Sequence, residues 1–295
     1  MVTLPEIAED IVNKTLAHAN DDNSRTIFLA GSKSVGKSTL LNSFLEKTET
    51  PRETLVLEYS YGRKSSQRQG IEKIICHVWE YGGKLEMMKN VLTSIPVYKK
   101  SIFVIMVDLS KIKTIWNTLQ ICTETVSDYS DRTQFEEIII IGGKYDLFKN
   151  YDSEIKKLVC DTIRSVALIH NAHILFYSSK EPQLVRKAKE ILHNAGFGNG
   201  VVIKEKNTNN TKPLSIPKGF DSWESIGVPR STMEQVKMRH VTRIQLEVEI
   251  QDKDKNELQR THPEPILDSL AALKYEELRN MELFDPAIND YLLCL

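Results

Sequence analysis

The sequence predicts an α/β fold, in which a mostly parallel, six-stranded sheet carries helices on both faces. The first of two observations behind this is a Gly-x4-Gly-Lys-Ser motif at residues 31–38, between an apolar run and a run of helix formers. The second is that, after an early pair of strands, apolar strands alternate along the chain with segments of helical periodicity. Together they predict a phosphate-loop domain at residues 25–196.

The elements follow from local composition. Six segments have the apolar or β-branched composition of strands: 26–30, 54–61, 73–79, 103–109, 138–141 and 174–177. Four segments have the apolar spacing of helices: 39–45, 115–126, 155–169 and 184–193. A basic turn at 62–70 joins the second and third strands, which we expect to pair as a hairpin.

Four regions are expected along the chain. They are an N-terminal helical segment at 1–24, the domain at 25–196, a connector packed on or near it at 197–262, and a C-terminal partner-binding helix with its tail at 263–295. The first region carries apolar residues at helical steps: Ile7, Ile11, Val12 and Leu16. The connector has no clear periodicity, apart from a strand or helix around residues 244–250.

The phosphate loop supplies the candidate nucleotide ligands, which are Gly31, Ser34, Val35, Gly36, Lys37, Ser38 and Thr39. The two glycines permit a close backbone approach, and successive N–H groups at a helix N-terminus then converge on phosphate oxygens. Lys37 is expected to lie between the β- and γ-phosphates, and the Ser38 hydroxyl to join a Mg²⁺ shell.

Two further candidate Mg²⁺ ligands follow the loop. Thr54 lies ahead of the second strand, where a GTPase offers a hydroxyl to the metal; a plain strand-edge threonine is the open alternative. Glu80 stands where a GTPase has aspartate, and its extra methylene disturbs a site that needs octahedral geometry. Lys84 stands where Ras-type enzymes place the glutamine that orients water, and lysine has no acceptor for that water. Efficient hydrolysis is therefore not expected.

The base-reading motif Asn-Lys-x-Asp is altered. It occurs as Gly143-Lys144-Tyr145-Asp146, in which Lys144 and Asp146 remain to contact a guanine. The asparagine that ties this loop to the phosphate loop is missing. The run 178–180, Ser-Ser-Lys, fits the backing motif that follows the last strand, and from it we take Ser179 and Lys180 as candidate ligands. These parts, in this order, predict a Ras-like P-loop G domain that has lost features of an active GTPase.

Four blocks carry a resemblance to a known family: 57–63, 79–83, 107–110 with Trp116, and 142–148. They resemble the dynein light intermediate chains, most closely the cytoplasmic dynein 2 form. The resemblance implies a non-catalytic subunit bound to the dynein 2 heavy chain and other subunits of that motor, acting in retrograde intraflagellar transport and cilium assembly. It implies the cytoplasm, the cilium (axoneme and basal body) and the cytoskeleton as locations. The motifs themselves predict a site that holds GTP or GDP with Mg²⁺ or stays empty.

Two other functions stay open. One is an active small GTPase that switches with GTP, and the other is a nucleotide-dependent kinase, although no arginine-rich lid is visible in the sequence. Residues 263–284 are expected to form an amphipathic helix that binds a partner, the alternative being a helix that packs on its own domain.

Charge and composition argue against a general nucleic-acid-binding protein and against a membrane-inserted one. A formal net charge of -1 gives no general attraction to nucleic acid, and no apolar run has the length needed for membrane insertion. No secretory signal is recognised at the N-terminus. Three of the four cysteines lie in apolar runs, so we expect buried, reduced thiols in a cytosolic protein.

Overall fold

In the computed structural model the described residues are 24–64, 74–93, 95, 100–129, 135–198 and 200–244, with six more between 269 and 277. The strands are β1 Ser24–Gly31, β2 Leu57–Lys64, β3 Ile74–Tyr81, β4 Lys100–Asp108, β5 Glu137–Gly143, β6 His173–Phe176 and β7 Ser215–Ile216. The helices are α1 Lys37–Phe44, α2 Met88–Leu92 after a 3₁₀ turn at Leu85–Met87, α3 Ile112–Tyr129, α4 Tyr145–Phe148, α5 Ser153–Ile169, α6 Pro182–Phe197, α7 Trp223–Ile226 and α8 at 233–244.

The sheet has the order β2-β3-β1-β4-β5-β6-β7. Its central strands run parallel, β2 pairs with β3 as an antiparallel hairpin, and β7 pairs with β6 in the antiparallel sense. The α/β class and the six expected strands are confirmed, with β2 starting three residues later than expected. The turn expected at 62–70 begins later than expected, because residues 62–64 belong to β2, and residues 65–73 lie outside the described residues.

The seventh strand was not expected from the sequence. Ser215 pairs with Leu175 and Ile216 with Ile174, and Leu214 and Ile216 are buried. A two-residue strand is too short to show a period-two pattern, so composition cannot reveal it. The sheet therefore does not end at β6.

Each face of the sheet has its own core. One core packs β1, β4 and β5 against α3 and α5 around Phe28, Phe103 and Ile140. The other packs the opposite face against α1 and α6 around Leu29, Val104 and Ile191. This two-sided burial explains the nearly unbroken apolar runs of the parallel strands. Cys76, Cys122 and Cys160 are buried free thiols, as expected, and burial raises the pKa of each to about 12.

The chain divides into two compact units, Met1–Thr242 and Arg243–Leu295. In the second unit the described residues 269–270, 273–274 and 276–277 are helical, and Leu270 and Leu273 are 54% and 57% exposed. The rest of the expected C-terminal helix, the N-terminal segment, residues 245–250 and Cys294 lie outside the described residues. In the described part of the chain, no helix combines the length and apolar character that crossing a membrane requires.

Glu137, at the start of β5, anchors the segment after α6. One carboxylate oxygen accepts from the Val201 amide at 2.8 Å and the other from Lys218 Nζ at 2.7 Å. Burial alone would raise the pKa of this carboxyl, but the nearby His173 imidazole, Lys218 and the Val201 amide outweigh burial and hold it at about 2.

The lowered pKa of Glu137 predicts a contribution to folding stability that is lost in acid. Because its folded pKa lies below the usual value of 4.5, the stabilisation is complete above pH 4.5 and is lost as the pH falls toward 2. We expect Glu137→Gln to flatten the pH dependence of the free energy of unfolding between pH 5 and about 2. The exposed neighbour Glu136→Gln serves as control, and equal slopes for parent and Glu137→Gln would contradict the assignment.

Candidate nucleotide site

The phosphate loop connects β1 to α1 and packs directly against the end of β4. Gly31 has φ +136°, and a Cβ there would lie 1.9 Å from the Met106 carbonyl oxygen. The Ser32 amide donates to the same oxygen at 2.8 Å. Gly36, with φ +102°, precedes the first turn of α1. Both positions therefore require glycine, for close contact at the first and for the left-handed backbone at both.

Lys37 is buried at the base of the loop. Its Nζ donates to the carbonyl oxygens of Ser32 at 2.9 Å and Gly31 at 3.2 Å. Burial lowers the pKa of this ammonium, and the charge of Glu80 opposes that shift. These two hydrogen bonds hold the phosphate loop in its curved form. They also keep the charge of Lys37 next to the loop amides that are expected to bind phosphate.

The candidate metal ligands lie beside this lysine. Ser38 Oγ donates to Glu80 Oε1 at 2.7 Å, so the first hydroxyl and the carboxylate are adjacent. Burial raises the pKa of Glu80, and the Ser38 hydrogen bond and the Lys37 charge oppose that shift. A hydroxyl and a carboxylate in contact are oxygen donors suited to Mg²⁺, and these two residues would hold it.

Thr54 Oγ1 donates to Glu58 Oε2 at 3.1 Å. A side-chain hydrogen bond with Thr54 also opposes the rise in the pKa of Glu80. Thr54 therefore lies beside the candidate metal ligands, and its role as a metal ligand stays a prediction. A cleft of about 240 Å³ opens between these groups. Its lining is Lys33, Ser34, Gly36, Lys37, Ser38, Thr39, Pro51, Arg52, Glu53, Thr54, Glu80 and Gly82.

The segment after β3 is in backbone contact with the residues just before β2. The amides of Gly82 and Gly83 donate to the Val56 carbonyl at 2.9 and 3.3 Å. A Cβ on Gly82 would lie 1.8 Å from the Thr54 carbonyl, so the two segments are in tight backbone contact. Lys84 is exposed. These donors are therefore engaged within the protein, and the water-orienting position holds a solvated cation.

Asp146, in the first turn of α4, is held by the backing motif. Its Oδ1 accepts from Ser178 Oγ at 2.7 Å, and Lys180 Nζ lies 3.0 Å from Oδ2. Partial burial favours the neutral acid, but the Ser178 and Lys180 hydrogen bonds prevail and lower the pKa of Asp146. Ser178, rather than the exposed Ser179, makes the contact, and the Ser-Ser-Lys run alone did not distinguish them.

Lys144 is bound to a residue that the sequence reasoning missed. Its Nζ donates at 2.7 Å to Oδ2 of Asp108, a fully buried carboxylate at the end of β4. The other Asp108 oxygen accepts from the amide and the hydroxyl of Ser110 at 3.0 and 2.6 Å. In the sequence, Asp108 stands out only as the charged residue that ends the apolar run of β4. The Lys144 stem is thus directed to β4.

Close packing against Val35 accounts for glycine at position 143, where the base-reading motif has asparagine. A Cβ at this position would lie 2.6 Å from Val35 Cγ2 and 3.1 Å from the Val35 carbonyl oxygen. Val35 is 3% exposed, so its side chain occupies the space through which a larger residue would join the two loops. Packing replaces a hydrogen bond here, while the two halves of the site still meet at the carboxyl ends of the parallel strands.

Sequence comparisons find a matching family model and similar proteins. The family model "Ras of Complex, Roc, domain of DAPkinase" matches residues 26–146. The cytoplasmic dynein 2 light intermediate chain 1 of Danio rerio is 31% identical, over 88% of this chain and 86% of the relative. The proteins of the same name from Bos taurus and Homo sapiens are 31% and 29% identical, each over 77% of this chain and 76% of the relative.

A solved structure of the conserved domain of a dynein light intermediate chain covers 72% of this chain and 88% of its own. Its TM-score is 0.48 at 14% identity.

Proposed function

The chain belongs to the cytoplasmic dynein 2 light intermediate chain family, and on that premise we propose that it is a non-catalytic accessory subunit of the ciliary dynein 2 motor. It docks on the tail of the heavy chain and serves retrograde intraflagellar transport and cilium assembly. Its locations are the cytoplasm, the axoneme and basal body of the cilium, and the cytoskeleton. The observation that carries this proposal is the match to the zebrafish relative. The two chains are 31% identical over 86% of that relative and 88% of this chain, so the match extends beyond the G domain.

Residues 263–284 are the heavy-chain contact in this proposal. The apolar positions Ile266, Leu270 and Leu273 fall at steps of three and four, which gives a helix one apolar stripe. The two leucines that the structure describes are more than half exposed, so they have surface left to bury. An isolated helix of this length is marginal in water and gains stability by covering that stripe.

Truncation after Gln259 tests this contact. We expect the melting temperature of the first compact unit to change little, because residues 260–295 belong to the second unit. Co-purification of the dynein 2 heavy chain should fall strongly. The matched control is full-length chain with Lys274→Gln, which alters an exposed ion pair but keeps the stripe. A large loss of thermal stability with unchanged heavy-chain recovery would contradict the proposal.

We infer that the G domain holds GTP or GDP with Mg²⁺ as a structural ligand. The support is the intact loop, the buried Lys37 and the contact between Ser38 and Glu80. A ligand that binds only the folded state stabilises it by about 2.7 kcal/mol at a hundredfold excess over Kd. GDP or GTP with Mg²⁺ should therefore raise the melting temperature of nucleotide-free protein, and Lys37→Ala should remove the increase.

Turnover of GTP is expected to stay below the intrinsic Ras rate of order 10⁻⁴ per second. Lys84 has no acceptor for an attacking water, and the Gly82 and Gly83 amides are already bonded to Val56. Phosphate release measured with and without Mg²⁺ tests this. Release that exceeds the Ras rate and is abolished by Lys37→Ala would show an active enzyme.

The second candidate function is an active GTPase switch, which the Roc match over residues 26–146 favours. A switch needs segments that bind differently to GTP and GDP. The engaged Gly83 amide and the exposed Lys84 weigh against it. Equal affinities for GDP and GTP would favour the structural ligand, and a strong preference for GTP the switch.

A further inference from the structure

Asp108 is a buried acidic residue between the two halves of the candidate nucleotide site. It ends β4, and its side chain is fully buried. One carboxylate oxygen accepts from the amide and the hydroxyl of Ser110, and the other accepts from Lys144 Nζ at 2.7 Å. A buried carboxylate that loses its cation is strongly unfavourable. The end of β4 therefore fixes the position of the Lys144 ammonium.

The backbone at Asp108 is attached to the phosphate loop on one side and to the base-reading segment on the other. The Asp108 amide donates at 3.2 Å to Oγ of Ser32, the second residue of the Gly-x4-Gly-Lys-Ser motif. Ser32 Oγ also shares a hydrogen bond of 3.2 Å with Thr118 Oγ1 on α3. The next amide, that of Leu109, donates to the Gly143 carbonyl oxygen at 3.1 Å. The end of β4 thus joins the two loops of the site.

Lys144 connects this buried carboxylate to the residue that is expected to read the base. Its backbone lies in the left-handed region, with φ 59° and ψ 39°, which is unfavourable for a residue with a side chain. Its carbonyl oxygen accepts from the amides of Leu147 at 3.1 Å and Phe148 at 3.2 Å. Asp146 lies in the first turn of the same short helix, α4. Because the ion pair with Asp108 holds Lys144, it also restrains the position of the Asp146 carboxylate.

Gly143 cannot make the contact that asparagine makes at the first position of the Asn-Lys-x-Asp motif. It has no side chain, and Val35 fills the space beside it. The two loops are instead joined through Asp108, whose carboxylate binds Lys144 and whose amide binds Ser32. The connection that the motif has lost is therefore present in this chain, made by other atoms.

We propose that Asp108 is a positioning residue of the nucleotide site, which replaces the missing asparagine by pairing with Lys144 and thereby orients Asp146 for a guanine base. This inference rests on the proposed function, since it concerns how the G domain distinguishes GTP and GDP from other nucleotides. Asp146 supplies the selectivity, because a carboxylate accepts from N–H groups that guanine offers and adenine lacks. Asp108 acts through Lys144 and does not itself contact the ligand.

Asp108→Asn tests the proposal, because it keeps the size of the side chain and removes its charge. If the asparagine oxygen keeps its bonds to Ser110, its amide nitrogen faces the Lys144 ammonium, and both groups are donors. Calorimetry on the nucleotide-free full chain measures the dissociation constants of GDP, ADP and pyrophosphate, each with Mg²⁺. We expect the parent to prefer GDP to ADP. In the variant this preference should fall about tenfold, the factor that one hydrogen bond to a charged group contributes.

Pyrophosphate and three further variants separate positioning from a general loss of structure. Pyrophosphate has no base, so its affinity should be the same in the parent and in Asp108→Asn, whereas Lys37→Ala should weaken all three ligands. Asp128→Asn makes the same chemical change in an exposed ion pair and should change no affinity. Asp108→Asn/Lys144→Met leaves neither charge unpaired, so we expect it to fold and to show the same loss of preference for GDP.

The outcomes distinguish this inference from the proposed function. A parent protein that does not bind GDP would overturn both. A parent that binds GDP and ADP equally would show that no base is read, and would overturn the role of Asp108 alone. The same holds if Asp108→Asn and the double variant keep the parent's preference for GDP, or if they lose affinity for GDP, ADP and pyrophosphate by equal factors.

Discussion

Gly31→Ala is expected to lower the free energy of unfolding by about 3 kcal/mol or more. The new Cβ would lie 1.9 Å from the Met106 carbonyl oxygen and 2.7 Å from the Met106 carbonyl carbon and amide nitrogen. All three atoms are backbone, so relief requires β1 and β4 to separate where they are paired. The φ of +136° adds strain for any residue with a side chain. Urea unfolding followed by circular dichroism measures the loss.

Gly36→Ala is the matched control for that change. It lies in the same loop with φ +102°, but a Cβ there meets nothing within 4 Å. Backbone strain alone should cost about 1–2 kcal/mol. If the two variants lose the same stability, the close contact with Met106 does not constrain the loop.

Asp221→Ala should destabilise the domain by about 3–5 kcal/mol, because it leaves a buried guanidinium unpaired. Arg164 on α5 donates to the two Asp221 oxygens at 2.6 and 2.7 Å, and their side chains are 4% and 5% exposed. Arg164 also donates to Ser225 in α7 at 2.8 Å. The pair therefore ties the segment after β7 to the main body of the domain.

Two controls separate this effect from the loss of any ion pair. Asp128→Ala removes an exposed pair with Lys89 and should cost at most about 1 kcal/mol. Arg164→Met/Asp221→Leu removes both buried charges and should recover much of the loss. Equal effects of Asp221→Ala and Asp128→Ala in thermal unfolding would show that burial of the pair contributes nothing.

The sequence predicts the regular part of the fold because burial on two faces produces long, measurable patterns. The apolar run of β4 and the periodic residues of α3 and α5 are of this kind. The segment after α6 is different, because its place depends on single contacts from distant residues. Arg164 to Asp221 and Glu137 to Lys218 span 57 and 81 positions, and no local pattern encodes such pairs.

The candidate site divides in the same way. The phosphate loop is a local motif with one backbone solution, so its geometry follows from the glycine spacing. The part of the site expected to contact the base depends on residues that are close only in space. Lys144 donates to Asp108, Ser178 donates to Asp146, and Val35 fills the space beside Gly143. These contacts join the ends of different strands, and they become visible only when the sheet order is known.

We expect the chain to bind the dynein 2 heavy chain whether or not its G domain holds nucleotide. The most direct measurement is the amount of dynein 2 heavy chain that co-purifies with tagged chain from ciliated cells. Parent and Lys37→Ala proteins are compared with GDP, with a non-hydrolysable GTP analogue and without nucleotide. We expect the same heavy-chain recovery for the parent protein in all three conditions, and for every folded Lys37→Ala sample. Absence of the heavy chain would show that the chain is not bound to this motor, and recovery only with the GTP analogue would show that binding depends on nucleotide.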